Sequence, residues 1–210
     1  DHSSARIERY LQMCAQDNML VAQPSTPANY FHLLREHTYR RPRRPLIVFT
    51  PKQLLRLKAA CSPVEDFTSG TFQPVIGETD DAVLASARKQ GVDRVLLCSG
   101  RVYYDLLAHR TKTGDTRTAI VRLEQLYPLE SSAIAEALAP FSGAELVWVQ
   151  DEPANQGMWP YLALNLPTDL TGGVLPTLVS RPEAAAPAVG TAGFHRAQQE
   201  EILRQAFARH

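Results

Sequence analysis

Strands and helices alternate along the second half of this chain, and no other feature of the sequence narrows the possible folds as much. Short runs rich in Val, Leu and Ile are each followed by a segment whose apolar residues have helical spacing. The predicted strands span 94–98, 119–123, 145–150 and 177–180, and the predicted helices span 102–110, 131–138 and 195–208. This order predicts an α/β fold with a mostly parallel sheet and right-handed crossovers.

The first 58 residues show the same order on a smaller scale. A predicted helix ends near residue 15, an apolar run covers 19–22, and a second helix starts at Thr26 and Pro27. The unbroken apolar run 46–50 is typical of a strand that is buried on both faces. We therefore interpret this part as the end of an α/β domain.

The pattern weakens from about residue 59 to residue 92, where Pro, Gly, Ser and acidic residues are frequent. One strand over 72–76 and one helix over 82–89 are predicted there. We predict that 1–58 is the last part of one domain, that 59–92 is a linker and the start of the next domain, and that 93–210 is a complete α/β domain.

The composition excludes several classes of partner. Lys plus Arg and Asp plus Glu each number 22 among 210 residues, so the overall charge does not call for nucleic acid or an anionic membrane. No apolar run approaches the roughly 20 residues that span a bilayer. The three cysteines, Cys14, Cys61 and Cys98, lack CxxC spacing, which favours a reducing compartment over a disulfide framework or a structural zinc.

Polar residues stand directly before the two amino-terminal helices. His2, Ser3 and Ser4 precede the first helix, and the turn 24–27 begins the second. Ends of this kind are where α/β enzymes usually hold their ligands. Each residue also has a plainer interpretation, since Ser and Thr cap helices and a histidine near a chain end is often a disordered surface group. Arg6 we interpret as structural.

Taken in order, these segments resemble the carboxyl-terminal part of the thiamine-dependent decarboxylating component of 2-oxoglutarate dehydrogenase, in the transketolase-like superfamily. The resemblance covers essentially all 210 residues. Its motifs are HSSAR (2–6), PSTPA (24–28), RPL with TPK (44–46, 50–52), SG with VYYD (99–100, 102–105), EQ (124–125), and the segments 148–159 and 181–190 followed by His195.

The resemblance implies the end of a pyrimidine-binding domain followed by a complete transketolase C-terminal-like domain. It also implies a homodimer that uses thiamine diphosphate and Mg to decarboxylate 2-oxoglutarate in the tricarboxylic acid cycle. The implied partners are a lipoyl-bearing succinyltransferase and dihydrolipoyl dehydrogenase, in the bacterial cytoplasm or, in a eukaryote, the mitochondrial matrix. Since no Gly-Asp-Gly segment with a following metal-binding Asn is present, we expect this chain alone to bind neither the cofactor nor the metal.

His2 is the one residue for which the resemblance implies a catalytic role, since it matches the family's active-site histidine beside the reacting carbon. Decarboxylation of a 2-oxo acid places negative charge on the former carbonyl oxygen, which a preplaced donor must stabilise. An imidazole can donate a hydrogen bond or a proton near neutral pH.

Arg44 is a candidate contact for an anionic effector. It closes the basic run 40–44, and some bacterial relatives respond to acetyl-coenzyme A, whose phosphates an arginine can bind. The plainer interpretation of such a run is a solvated loop. We predict no cofactor-binding residue in this chain, because Ser99-Gly100-Arg101 has a single glycine and is interpreted as a remnant of the fold without nucleotide binding.

Two alternatives to a 2-oxoglutarate dehydrogenase remain open. The chain could belong to a related component that acts on another 2-oxo acid, since residues that select the distal carboxylate would mostly lie upstream. It could also be a noncatalytic dimerisation or regulatory module. At Asp151 the sequence departs from relatives, which more often have Glu, so we leave the role of this acid open.

Overall fold

The computed structural model describes residues 5–208. Among these residues, no helix combines the length and the apolar character needed to cross a bilayer. The helices are α1 (Ile7–Gln12), α2 (Pro27–Tyr39), α3 (Val64–Thr68), α4 (Asp81–Gln90), α5 (Val102–Thr113), α6 (Ser131–Leu138), α7 (Trp159–Asn165) and α8 (Ala192–Ala206). The strands are β1 (Leu20–Ala22), β2 (Leu46–Val48), β3 (Val75–Ile76), β4 (Arg94–Cys98), β5 (Thr118–Leu123), β6 (Gln125–Tyr127), β7 (Glu145–Pro153) and β8 (Thr177–Arg181).

The strands form two sheets. The first has the order β2-β1-β6, in which β1 runs parallel to β2 and antiparallel to β6. The second has the order β3-β5-β4-β7-β8, and all of its neighbours are parallel except β3 and β5. The α/β prediction with a mostly parallel sheet is therefore confirmed.

One apolar core lies between the two sheets. Side chains alternate across a strand, so Val95 and Leu97 of β4 enter this shared core while Leu96 and Cys98 face the opposite side, towards α5 and α8. In β1, Val21 enters the same shared core. Burial on both faces explains why β4 is apolar at nearly every position.

The sequence predicted most elements of the second sheet well. The predicted strand 94–98 and helix 131–138 match β4 and α6 residue for residue. The expectation for 46–50 was wrong in part, because β2 ends at Val48 and is half-buried. This strand lies at the edge of its sheet, where only one neighbour covers it.

Three elements were not predicted. These are α3, α7 and the strand β6. Strand β6 follows β5 after a single residue, yet it pairs with β1 of the first sheet. Since all three are short, their apolar spacing carries little periodic signal.

Candidate functional site

A cavity of about 360 Å³ opens at the carboxyl ends of strands from both sheets. On the second sheet it is bordered by Ser99 after β4, by Asp151 and Glu152 in β7 and by Arg181 at the end of β8. Strands β5 and β7 lie on opposite sides of β4, so the chain changes direction across the sheet at this point. Such a switch point is where open α/β sheets usually bind ligands.

The first sheet closes the other side of the cavity. Gln23 follows β1, Thr50 follows β2, and Ala5, Ile7 and Glu8 belong to α1 and the residues before it. The described structure thus brings the end of the HSSAR motif to this cavity, because Ala5 lines it. His2 lies outside the described residues.

Gln23 fills the crevice that Ser99 and Gly100 would otherwise leave at the end of β4. The Ser99 hydroxyl donates to Gln23 Oε1 over 2.7 Å. Gly100 has φ +65°, and a Cβ added to it would lie 2.7 Å from Gln23 Cδ. The glycine is therefore required by close packing between the two sheets.

Arg101 forms ion pairs with two aspartates. Its Nη1 donates to Asp105 over 2.7 Å, and its Nη2 donates to both carboxylate oxygens of Asp151 over 2.8 Å. Burial lowers the pKa of Arg101, but Asp151 and Asp105 outweigh this effect and raise it overall. For Asp105, burial raises the pKa against the lowering effect of Arg101. The shorter acid at position 151 thus still forms a bidentate ion pair.

Arg181 is buried at the opposite wall. Its Nη2 lies 3.0 Å from His195 Nδ1 and 3.3 Å from Gln199 Oε1, and Gln199 in turn donates to Asp105 over 2.9 Å. Because an arginine can only donate, His195 accepts at Nδ1 and is neutral in this arrangement. Burial and the charges of Arg181 and Arg101 lower the pKa of His195.

Glu152 is the acid in the cavity whose charge is least favoured. Burial raises the pKa of its carboxyl group to about 7, and the neighbouring Asp151 adds to this effect. Glu152 therefore exchanges its proton near neutral pH. Sequence reasoning did not single out this residue, because its unusual pKa depends on tertiary burial.

The turn between β7 and α7 is organised by the side chain of Gln150, which is 3% exposed. Its Oε1 accepts from Trp148 Nε1 over 2.9 Å and from Trp159 N over 3.0 Å. Its Nε2 donates to the carbonyls of Pro153 and Gln156, over 3.0 and 2.8 Å. We call residues 150–157 the receiving turn, because helix α1 is bound to it.

Two hydrogen bonds tie the start of α1 to the receiving turn. Arg6 Nη1 donates to Gln156 Oε1 over 2.8 Å, and Gly157 N donates to Glu8 Oε2 over 3.0 Å. These bonds join positions about 150 residues apart in the chain. The sequence did not indicate Gln156 as the partner of Arg6, because the two residues are 150 positions apart in the chain.

A second polar cluster, made of buried residues, joins the two sheets. We call Ser25, Asn29, Tyr104, Arg122 and Glu124 the buried junction. Glu124 is 0% exposed and accepts from Ser25 N over 2.7 Å and from Asn29 Nδ2 over 3.0 Å. The hydroxyl of Tyr104 donates to Ser25 O over 2.8 Å, and Arg122 Nη1 donates to Ser25 Oγ over 3.0 Å.

The PSTPA motif is explained by this junction. Thr26 caps α2 through a 3.2 Å bond from Asn29 N, as the helix-start interpretation predicted. Ser25 has a further role that the sequence did not indicate, because its backbone and its hydroxyl both bind residues of the second sheet and α5.

Arg44 lies away from the cavity. It is half-buried, and its Nη1 donates to the carbonyl of Gln16 over 3.3 Å. His32 is buried, with Nε2 2.7 Å from the carbonyl of Asp66. Within residues 5–208, no cluster of His, Cys, Asp or Glu has an arrangement suited to a metal ion.

The architecture is that of a transketolase-like protein. A solved structure described as "Split gene transketolase, inactive beta4 tetramer" superposes with a TM-score of 0.61 over 98% of this chain and 61% of that one, at 13% identity. At this identity the likeness concerns the fold alone. The pyrimidine-binding domain model of transketolase matches residues 1–58, and the model described as 2-oxoglutarate dehydrogenase C-terminal matches residues 61–207.

This chain belongs to the 2-oxoglutarate dehydrogenase C-terminal family. It is 47% identical over 210 residues to the 2-oxoglutarate dehydrogenase E1 component of Cupriavidus necator, covering 100% of this chain and 22% of that protein. It is 47% identical over 209 residues to the E1/E2 component of Corynebacterium glutamicum, covering 99% and 17%. The E1 component of Haemophilus influenzae is 44% identical over 209 residues, with 99% and 22% covered.

The resemblance drawn from the motifs is therefore confirmed. The chain spans about a fifth of the length of the curated relatives it matches.

Proposed function

We propose that this chain is the carboxyl-terminal part of a thiamine diphosphate-dependent enzyme that oxidatively decarboxylates 2-oxoglutarate. The enzyme would transfer the succinyl group to the lipoyl group of a partner transferase, as a step of the tricarboxylic acid cycle. The strongest support is the 47% identity to a 2-oxoglutarate dehydrogenase E1 component across all 210 residues. The fold also supports this role, because a cavity lies at the switch point of the second sheet and is lined by Ala5 of the HSSAR motif.

Within this proposal, His2 is the catalytic residue. Its imidazole would hold or donate a proton at the former carbonyl oxygen of the 2-oxo acid, where negative charge develops. Ala5, three residues later in the chain, lines the cavity. The remaining walls of the reaction site would come from sequence outside this chain.

The described residues do not fit a diphosphate group. Gln23 fills the crevice at the end of β4, where α/β folds commonly hold phosphates. Arg101, which also lines the cavity, is already paired with Asp105 and Asp151. The groups that bind the cofactor and Mg would therefore lie outside this chain.

The proposed assembly follows the same relatives. We propose a homodimer that works with a lipoyl-bearing succinyltransferase and dihydrolipoyl dehydrogenase in the cytoplasm of a bacterium. The relatives named above are bacterial, and one of them carries E1 and E2 in its name. The division into 1–58, 59–92 and 93–210 likewise stays a prediction.

Replacing His2 tests the catalytic assignment. We expect His2→Ala in the full-length enzyme to lower turnover with 2-oxoglutarate by about 10²-fold or more, because a proton donor at the developing charge is lost. Thiamine diphosphate affinity, measured by calorimetric titration, should change far less. The matched control is His109→Ala, since that ring stacks on Phe207 and does not line the cavity. Unchanged turnover in His2→Ala would remove the assignment.

Two further measurements separate the proposal from its alternatives. Assays of the full-length enzyme with 2-oxoglutarate, pyruvate and branched-chain 2-oxo acids should give a clear preference for 2-oxoglutarate. A preference for another acid would support a related dehydrogenase component. The native polypeptide should be several times larger than the 23.3 kDa of this chain, and a product of that mass in cells would support a noncatalytic module.

Arg44 remains our proposed contact for an anionic effector. Among residues 5–208, its guanidinium donates to one backbone carbonyl over 3.3 Å, and its remaining N–H groups could donate to a phosphate. We expect Arg44→Ala to weaken the binding of acetyl-coenzyme A to the full-length enzyme by about 10-fold, in line with the loss of one charged hydrogen bond. Equal affinity of the variant and the wild type in calorimetric titrations would end this proposal.

A further inference from the structure

Arg181 is a buried cation without a carboxylate partner. Arg94 and Arg110, which are buried to a similar degree, each form an ion pair. Arg122 forms none, but its guanidinium lies 4.0 Å from the centroid of the Tyr103 ring. Among the described residues, Arg181 has neither an ion pair nor an aromatic ring against its charge. Since a buried charge is costly unless it is paired, these residues leave the charge of Arg181 uncompensated.

The hydrogen bonds of Arg181 also leave donors unused. Its Nη2 donates to His195 Nδ1 and Gln199 Oε1, whereas Nε and Nη1 bond no group within the part of the chain that the structure describes. Because His195 accepts at Nδ1, its proton is on Nε2, for which the same residues provide no acceptor. Arg181 and His195 both line the cavity. One wall of the cavity therefore has a guanidinium and an imidazole with N–H groups that lack acceptors.

The acids of the cavity do not supply the missing charge. Asp151 is paired with Arg101, and Glu8 accepts from a backbone N–H of the receiving turn. Burial raises the pKa of Glu152 to about 7, against a smaller lowering effect of Arg181, so its carboxyl group is charged only in part at neutral pH. A group that carries a full negative charge is therefore still needed beside Arg181.

We infer that Arg181 and His195 form a binding site for one carboxylate group. The two oxygens of a carboxylate can accept from both side chains, and a second negative charge would be repelled by the three acids of the cavity. The volume of about 360 Å³ is at the lower end for small-molecule sites, which suits a small carboxylic acid. The carboxylate belongs either to such an acid or to an acidic side chain of the full-length protein outside this chain. The site does not depend on a catalytic role of His2.

Acetate is the probe for a free acid, and saturation-transfer difference NMR on the full-length protein measures its binding. Arg181→Gln should weaken acetate binding at this site about 10-fold or more, because a charged donor is lost. Arg196→Gln is the matched control and should bind acetate as the wild type does, since Arg196 is exposed on α8 and does not line the cavity. Acetate bound elsewhere is common to all three proteins and gives the baseline.

A second variant keeps the test valid if Arg181→Gln does not fold. His195→Ala removes the imidazole donor and leaves the guanidinium in place, so it should weaken acetate binding by about 3- to 10-fold. Thermal unfolding of each variant shows which of them are folded. Weaker acetate binding in either folded variant supports a site for a free acid.

The alternative source, an acidic side chain, is tested by comparing the thermal unfolding of Arg181→Lys and Arg181→Gln. If a carboxylate of the protein occupies the site, acetate binding is the same in the wild type and in Arg181→Gln. In that case Arg181→Lys, which keeps a cation for the carboxylate, should unfold at least about 2 °C above Arg181→Gln.

A different combination would overturn the inference. Without any carboxylate at the site, a lysine at position 181 would be an unpaired buried charge, and Arg181→Gln would be at least as stable as Arg181→Lys. This order of stability, together with equal acetate binding by the wild type and the folded variants, would show that no carboxylate binds beside Arg181.

Discussion

The buried junction and the cavity both lie between residues of the first and the second sheet, but their polar groups have different environments. In the junction, Glu124 is fully buried and accepts two short bonds, and Arg122 lies 4.0 Å over the ring of Tyr103. In the cavity, Glu152 keeps its proton up to about pH 7 and His195 is held neutral beside an arginine. The junction joins the two sheets, whereas the cavity contains one carboxyl group, that of Glu152, whose charge changes near neutral pH.

The largest effect is expected from removing the central acid of the junction. Glu124→Ala removes the acceptor of Ser25 N and one of the two acceptors of Asn29 Nδ2, which also donates to the carbonyl of Gln73. Because this site is buried, the loss should lower the free energy of unfolding by about 3 kcal/mol. Urea unfolding followed by tryptophan fluorescence measures this loss. Glu136→Ala, at an exposed position of α6, is the control and should change stability by no more than about 0.5 kcal/mol. A similar small change in both variants would contradict our view of the junction.

A smaller loss of stability is expected from a substitution at Gly100, which packs against Gln23. Gly100→Ala should cost about 2 kcal/mol, because the new Cβ meets Gln23 and the backbone is in the left-handed region. In a Gln23→Ala background the steric part should vanish, leaving about 1 kcal/mol of backbone strain. Unfolding measurements on the two single variants and the double variant give the coupling. Strictly additive effects would show that Gln23 is not what requires glycine at this position.

In the cavity, Glu152 should make the stability of the protein depend on pH. Because burial raises the pKa of Glu152 to about 7, the folded state holds this proton more tightly than the unfolded state does. The protonated carboxyl group of Glu152 therefore stabilises the folded state. This contribution is fully present below pH 4.5, the pKa of glutamate in the unfolded state, and is lost as the pH rises through about 7.

Glu152→Gln should therefore be more stable than the wild type at pH 8, by about 1 to 3 kcal/mol, and the difference should shrink towards pH 5. Denaturant unfolding at both pH values tests this, with Glu183→Gln on the exposed neighbouring loop as the matched control. A stability difference for Glu152→Gln that is the same at pH 5 and pH 8 would show that the carboxyl group titrates normally.

Much of the fold could be predicted from the sequence because its strands are buried on both faces. The apolar run of β4 and the spacing in α6 gave their bounds without error. Strand β6 escaped prediction, because three residues carry no period and its partner β1 lies about 100 residues earlier. Local pattern cannot indicate a pairing of this kind.

The site was less predictable than the fold. The HSSAR motif pointed to the end of α1 that borders the cavity. The partners of Arg6, Arg101 and Arg181 could not be assigned, since each bonds a residue that only the tertiary fold brings near. The raised pKa of Glu152 has the same origin, because desolvation depends on neighbours that are distant in sequence.

The course of β6 has a consequence for any attempt to dissect this polypeptide. Strand β5 belongs to the second sheet, whereas the next strand, β6, belongs to the first sheet and pairs with β1. Cleavage near residue 60 would separate β1 from β6 and leave an unpaired strand edge on each fragment. The exposed amide and carbonyl groups of these edges could then pair with other chains. When they are expressed separately, the two fragments should therefore aggregate or associate with each other. The cooperative folding unit thus includes residues from both fragments.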